Sequence, residues 1–203
     1  LYNGALSGIS LDGKHYFYVN PLMDRAQPSS SLLAHVWITH HRRQRWLKRI
    51  ACCPPYIARL LASLPGYFYS LSTEGIWMHL YAQSTSHLEL DGKSVNITQH
   101  TNYPWEGEVE IFLHPRKEMP FSLHLRIPGW CKKAEVQVNG KRLEAPIQLG
   151  HYVEVNRSWK ARDRVRLSLS MPVERIVCHN YVIENNDRVA LKRGPIVYCI
   201  EQV

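Results

Sequence analysis

The chain has 203 residues, of which 45% are hydrophobic and 21% charged, with a net charge of +8. That is long enough for one or two domains with a real core and too apolar for a disordered chain. No stretch approaches the ~18 uncharged apolar residues that a spanning helix needs, so membrane partners are set aside. Five cysteines, Cys52, Cys53, Cys131, Cys178 and Cys199, form no regular framework. Their odd number argues against a disulfide-stapled secreted module and favours a reducing, cytoplasmic compartment. The first ten residues, LYNGALSGIS, carry neither a basic leader nor a cleavage pattern and do not begin with Met. They read as a cut inside a larger protein.

Residues 1 to 10 read as the end of a helix, with Gly8 close to its C-terminus. Asp12-Gly13 makes a turn, Lys14 to Val19 is an aromatic-rich strand, and Asn20-Pro21 stops it. Residues 24 to 45 read as a long loop. The basic run that follows, Arg42, Arg43, Arg45, Lys48 and Arg49 around Trp46, has the composition of a nucleic-acid contact. Elsewhere the bases alternate with acids, as from Lys160 to Arg166, which is the pattern of a solvated sheet face. Nucleic acid is therefore not the expected partner.

The segment RIACCPPYIARLLASL is the richest in chemistry. Ile57, Leu60, Leu61 and Leu64 recur at helical spacing, and proline is tolerated in a first turn, so a helix is predicted from 54 to about 69. Cys53 then falls near the N-cap, where free N–H groups and the helix dipole favour a thiolate. Such a setting can lower a thiol pKa from ~8.5 to roughly 3.5–7.5. The paired thiols are open to three uses: nucleophile, zinc ligand, or small buried groups beneath the helix. A tetrahedral zinc site needs two further ligands. His35, His40 and His41 are the local candidates, and neither a C-x-x-C nor an H-x-x-x-H spacing lies nearby.

Beyond the helix, short alternating runs separated by turn signals take over. Strands are predicted at Ile76 to Ala82, Ser86 to Leu90, Ser94 to Thr101, Glu108 to His114, Phe121 to Ile127, Ala134 to Val138, Tyr152 to Val155 and Arg164 to Ser170. Asp91-Gly92 and Asn139-Gly140 are strong hairpin signals. Eight such strands imply an antiparallel β-sandwich. Pro172 opens a new stretch with two more strands, around Asp187 to Lys192 and Pro195 to Glu201.

Taken in order, LYNGALSGISLDGKHYFYVNPL, ACCPPYIARLLASL, TNYPWEGEVEIFL, LRIPGW followed by VQVNGK, and RVALKRGPIVYCIE resemble glycoside hydrolase family 127, the β-L-arabinofuranosidase-like enzymes, over nearly the whole chain. The resemblance implies a mainly β fold, an antiparallel β-sandwich preceded by the C-terminal end of an (α/α)6 barrel. It places the barrel end at residues 1 to 66, the sandwich at 67 to 171 and the start of a second, truncated sandwich at 172 to 203. It assigns Cys52 as a catalytic nucleophile and Cys52 and Cys53 as zinc ligands, the remaining ligands lying upstream. Tyr18 and Trp46 become candidate sugar contacts, each equally at home as a packing residue. The implied partner is an L-arabinofuranosyl oligosaccharide or glycoconjugate, with a homodimer open for the complete enzyme. No Glu occurs between residues 1 and 73, so the family's general acid is missing here and the chain alone is expected to be inactive. Tyr56 also stands where the family often has Asn. A noncatalytic carbohydrate-binding or interdomain sandwich is the alternative reading.

Overall fold

Strong alternation dominates the chain, and it folds accordingly. The computed structural model describes residues 1–16, 43–45 and 53–198. A short π-type helix, Tyr2–Leu6, precedes β1 (His15–Tyr16), β2 (Gln44–Arg45) and helix α1 (Cys53–Ser63). After a 3-10 turn, Leu64–Tyr67, come β3 (Tyr69–Ser72), β4 (Gly75–Met78), β5 (Ser84–Leu90), β6 (Lys93–Thr101) and β7 (Glu108–Pro115). Next are β8 (Met119–Arg126), β9 (Ala134–Val138), β10 (Lys141–Arg142), β11 (Tyr152–Trp159) and β12 (Asp163–Leu169). The last three are β13 (Val173–Ile176), β14 (Ala190–Arg193) and β15 (Ile196–Tyr198). No helix among the described residues is long and apolar enough to cross a membrane.

Two compact units divide the chain. One unit comprises Leu1–Ser63, Glu174–Lys192 and Ile196–Val203. Its predicted turn forms as expected: Asp12 accepts from the Ser10 hydroxyl at 2.5 Å and the Lys14 N–H at 3.0 Å, and Gly13 takes a φ of +68°. These bonds, the Ser10 hydroxyl foremost, lower the Asp12 carboxyl to about 2. The Val197 N–H donates to Asn3 Oδ1 at 2.9 Å, tying the last strand to the first helix. Residues 44 and 45, read from the sequence as loop, pair with β1 instead.

The other unit comprises Leu64–Val173 and Arg193–Pro195. It holds a six-stranded sheet, ordered β10-β9-β12-β7-β6-β5, and a four-stranded sheet, ordered β11-β8-β4-β3. Alternating side chains from both sheets meet in one core: Ile76, Met78, Leu123, Leu125, Val153 and Val155 from the smaller, Val95, Ile97, Val109, Ile111, Leu113, Val165 and Leu167 from the larger. Each fully buried aliphatic side chain contributes roughly 1.5–3 kcal/mol, which is why this alternation commands the register.

Three expectations need correction. The predicted helix to about 69 ends at Ser63, because the residue before a proline leaves the α region and Pro65 cannot donate; β3 already begins at Tyr69. The predicted strand Ile76 to Ala82 is shorter, Gly75–Met78. The two sheets of the second unit are antiparallel except at β4 and β8, which pair in parallel, Gly75 with Ser122 and Trp77 with His124. The chain crosses to the larger sheet for β5, β6 and β7 before returning as β8, so no hairpin dictates the direction of that pair.

Candidate active site

Helix α1 begins at Cys53, with Pro54 and Pro55 filling its first turn. Proline suits that turn because its fixed φ is already helical and the N–H it lacks would have no partner there. No acidic residue occupies the first turn, so the positive end of the helix is not neutralised by its own side chains. A helix end of this kind is a setting for an anion. Cys52, Tyr18, Trp46, His35, His40, His41 and Cys199 lie outside the described residues. Cys53 is placed by its backbone alone, as the first residue of α1.

Antiparallel pairing of His15 with Arg45 and Tyr16 with Gln44 brings the segments just before Tyr18 and Trp46 side by side. Arg43 Nη2 donates to the Ser7 carbonyl at 3.0 Å, anchoring the second segment to the N-terminal helix. On α1 the expected apolar stripe is only partly covered: Ile57, Leu60 and Leu64 are half-buried and Leu61 is exposed. Tyr56, where the resemblance leads one to look for Asn, is exposed with the Arg59 guanidinium 5.3 Å from its ring centroid. Ahead of α1 the described carboxylate is Asp12, and its turn consumes it.

Two adjacent thiols are a donor pair of the right softness for zinc, so the residues fit that metal in kind. They supply two of four ligands at most, and the described residues contain no group of three or more His, Cys, Asp or Glu side chains able to hold an ion. The other described cysteines belong elsewhere. Cys131 is buried, its thiol donating to the Lys133 carbonyl at 2.9 Å, and burial pushes that thiol up. The Cys178 thiol donates to the Asn185 carbonyl at 3.3 Å.

Reading the strands one by one missed a second constellation, Trp77, His79, His124 and Tyr152, which share the outward face of the four-stranded sheet. Alternation alone marks each as outward-facing. Only the parallel β4–β8 register brings them together.

Three family models match the chain in succession: the GH127 β-L-arabinofuranosidase catalytic domain at residues 1–66, the GH127 middle domain at 75–171 and the family 127 C-terminal domain at 173–203. The chain belongs to glycoside hydrolase family 127. Among its relatives is a non-reducing end β-L-arabinofuranosidase of Bifidobacterium longum subsp. longum, 35% identical over all of this chain and 31% of that protein. A GH127 β-L-arabinofuranosidase structure from Geobacillus stearothermophilus T6 superposes with a TM-score of 0.86 at 45% identity, covering 98% of this chain and 31% of that one. A structure described as a glycoside hydrolase gives 0.87 at 42% identity, covering 98% and 32%. The chain thus spans about a third of the length of these relatives.

Proposed function

We propose that this chain is the part of a retaining β-L-arabinofuranosidase that carries its cysteine nucleophile. The observation that carries the reading is the start of α1 at Cys53, beside Cys52, inside the stretch matched by the catalytic-domain model. In this reading residues 1 to 66 are the C-terminal end of an (α/α)6 barrel, 67 to 171 a β-sandwich and 172 to 203 the opening of a second one. The single core shared by the two sheets supports the sandwich.

The Cys52 thiolate attacks the anomeric carbon of an L-arabinofuranoside while a carboxylic acid on the opposite face protonates the departing oxygen. Water then displaces the sulfur, and two inversions leave the configuration retained. Cys52 and Cys53 would hold zinc, and the metal's charge keeps thiols ionised at neutral pH. The basic residues around Trp46 and the N-terminus of α1 add positive potential to the same stretch of chain. No Glu stands before Glu74, so residues 1–73 hold no glutamate for the general acid; in this reading that acid and the zinc ligands beyond the cysteine pair are supplied by the rest of the enzyme, and the chain by itself is inactive.

The test is made on the product of a reading frame extended upstream of Leu1. It is expected to bind about one zinc per chain and to release L-arabinose from an aryl β-L-arabinofuranoside. Cys52→Ser is expected to lower kcat at least about a thousandfold. A Cys52→Ser enzyme within about tenfold of the parent would refute the thiolate nucleophile.

A further inference from the structure

The two sheets of the second unit present outer faces of different chemistry. The six-stranded sheet carries charge pairs, Arg164 Nη1 with Glu110 at 3.5 Å and Arg166 Nε with Glu108 at 2.8 Å, as a solvated face does. On the four-stranded sheet, Trp77 points outward between the fully buried Ile76 and Met78, and His124 does so between Leu123 and Leu125. Register sets Ser70 beside Trp77, Trp77 beside His124 and His124 beside Glu154, with Tyr152 opposite Arg126. One row therefore crosses β3, β4, β8 and β11.

Its rings are held firmly. Trp77 and His124 stack with centroids 3.7 Å apart and planes 6° from parallel, and Tyr152 meets Trp77 edge-on at 5.0 Å. The Trp77 indole N–H donates to Ser72 Oγ at 3.0 Å. His79 bridges the Ser70 hydroxyl, 2.8 Å from Nε2, and the Tyr152 hydroxyl, 2.5 Å from Nδ1. The Ser122 hydroxyl donates to Glu154 at 2.5 Å. His124 is only 6% exposed, and its Nε2 is buried without a hydrogen-bond partner. That nitrogen is closed to solvent, so the groups a ligand meets are those of the exposed residues, Ser70 and Tyr152.

The charged members of these rows, Arg126 and Glu154, offset one another. Burial, and then the Arg126 charge, shift the His79 imidazole downward from its ordinary value. A rigid face of aromatic rings among hydroxyl and imidazole groups suits neither an anion nor an aliphatic protein surface. It suits a neutral polyhydroxyl ligand, whose C–H faces pack on rings while its hydroxyls pair with side chains. We propose that the outer face of the four-stranded sheet, around Trp77, His79, His124 and Tyr152, is a saccharide-binding site. The choice of an arabinofuranosyl probe rests on the carbohydrate reading above; the site itself does not require Cys52.

The test titrates the 203-residue chain with methyl β-L-arabinofuranoside and with L-arabinose, following the indole N–H resonances by NMR, that of Trp77 assigned through Trp77→Phe. Saturable shifts of the Trp77 signal are expected, with affinity weakened at least about fivefold by Tyr152→Ala and by Ser70→Ala, and unchanged by Cys52→Ser. Both weakening substitutions lie at exposed positions, so folding is preserved. No saturable shift, or binding indifferent to both substitutions, overturns the proposal. Tyr152-dependent binding by this chain, with no arabinofuranoside hydrolysis by the product extended upstream of Leu1, would sink the activity reading and leave this site standing. Loss of the site with hydrolysis intact does the reverse.

Discussion

Replacing Asp163 by alanine is expected to destabilise the second unit by about 3 kcal/mol. The residue is 2% exposed, yet its carboxylate joins two turns. Oδ2 accepts from the Lys160 N–H at 3.0 Å, closing the turn between β11 and β12, and Oδ1 accepts from the Asn139 amide at 2.8 Å in the turn between β9 and β10. Asn139 passes the tie onward, its own Oδ1 accepting from the Arg164 N–H at 2.9 Å. Arg157 Nη2 lies 3.9 Å away and adds a weak attraction. Each hydrogen bond to a charged acceptor contributes roughly 1.5–3 kcal/mol, and two that share one carboxylate do not add fully, which gives the figure of about 3. Urea unfolding of parent and variant measures it, and Asn139→Ala completes a cycle with an expected coupling of about 1–2 kcal/mol. A loss below about 1 kcal/mol would show that the Asp163 N–H to Lys160 carbonyl bond, 3.1 Å, closes the turn unaided, and would refute the reasoning. Acid adds a second reading. Burial pushes the Asp163 carboxyl up, but the Lys160 and Asn139 bonds and the nearby Arg157 charge outweigh it, so the net shift is downward. Its contribution is therefore complete above the unfolded carboxylate range, ~4, and is lost as pH falls through the lower native value. Asp163→Asn should flatten that acid limb.

Gly75→Ala should cost more than about 3 kcal/mol, because φ is +142° there and a Cβ would stand 2.0 Å from the Ser122 carbonyl oxygen across the parallel pair. A thermal melt within a few degrees of the parent would show that β4 does not pair with β8 as described. Cys131 should resist iodoacetamide at pH 8 in the native chain and react once the chain is unfolded in urea, since burial raises its thiol and shields it. Peptide mapping after a timed pulse decides this, and prompt native labelling would contradict the packing.

The all-β character was legible because it is written in period two. Along Glu108–Pro115 buried residues alternate with more exposed ones without a break, and the same rhythm runs through Asp163–Leu169. The hairpins were legible for a local reason as well: Asp91-Gly92 and Asn139-Gly140 both take positive φ, which these residue types tolerate. Short edge strands carry no such signal. Lys141–Arg142 and Val173–Ile176 are too brief or too exposed to stand out from the turns around them.

The candidate sites divide along the same line. Cys-Cys-Pro-Pro could be read because its constraint is local: a helix accepts two prolines in succession only in its first turn, so the helix that the following apolar spacing predicts begins beside the thiols, as it does at Cys53. What surrounds those thiols depends on contacts between distant parts of a chain, about which a short motif is silent. The aromatic face is the opposite case. Trp77 and His124 are separated by a whole excursion through the other sheet, and neither has a neighbour in sequence that suggests stacking. Their 3.7 Å contact arises from a parallel register set by Ile76, Met78, Leu123 and Leu125 seeking one core. Inward packing thus assembles the outward face: a change that slips β4 by one residue against β8 would bury Trp77 and turn its apolar neighbours to solvent.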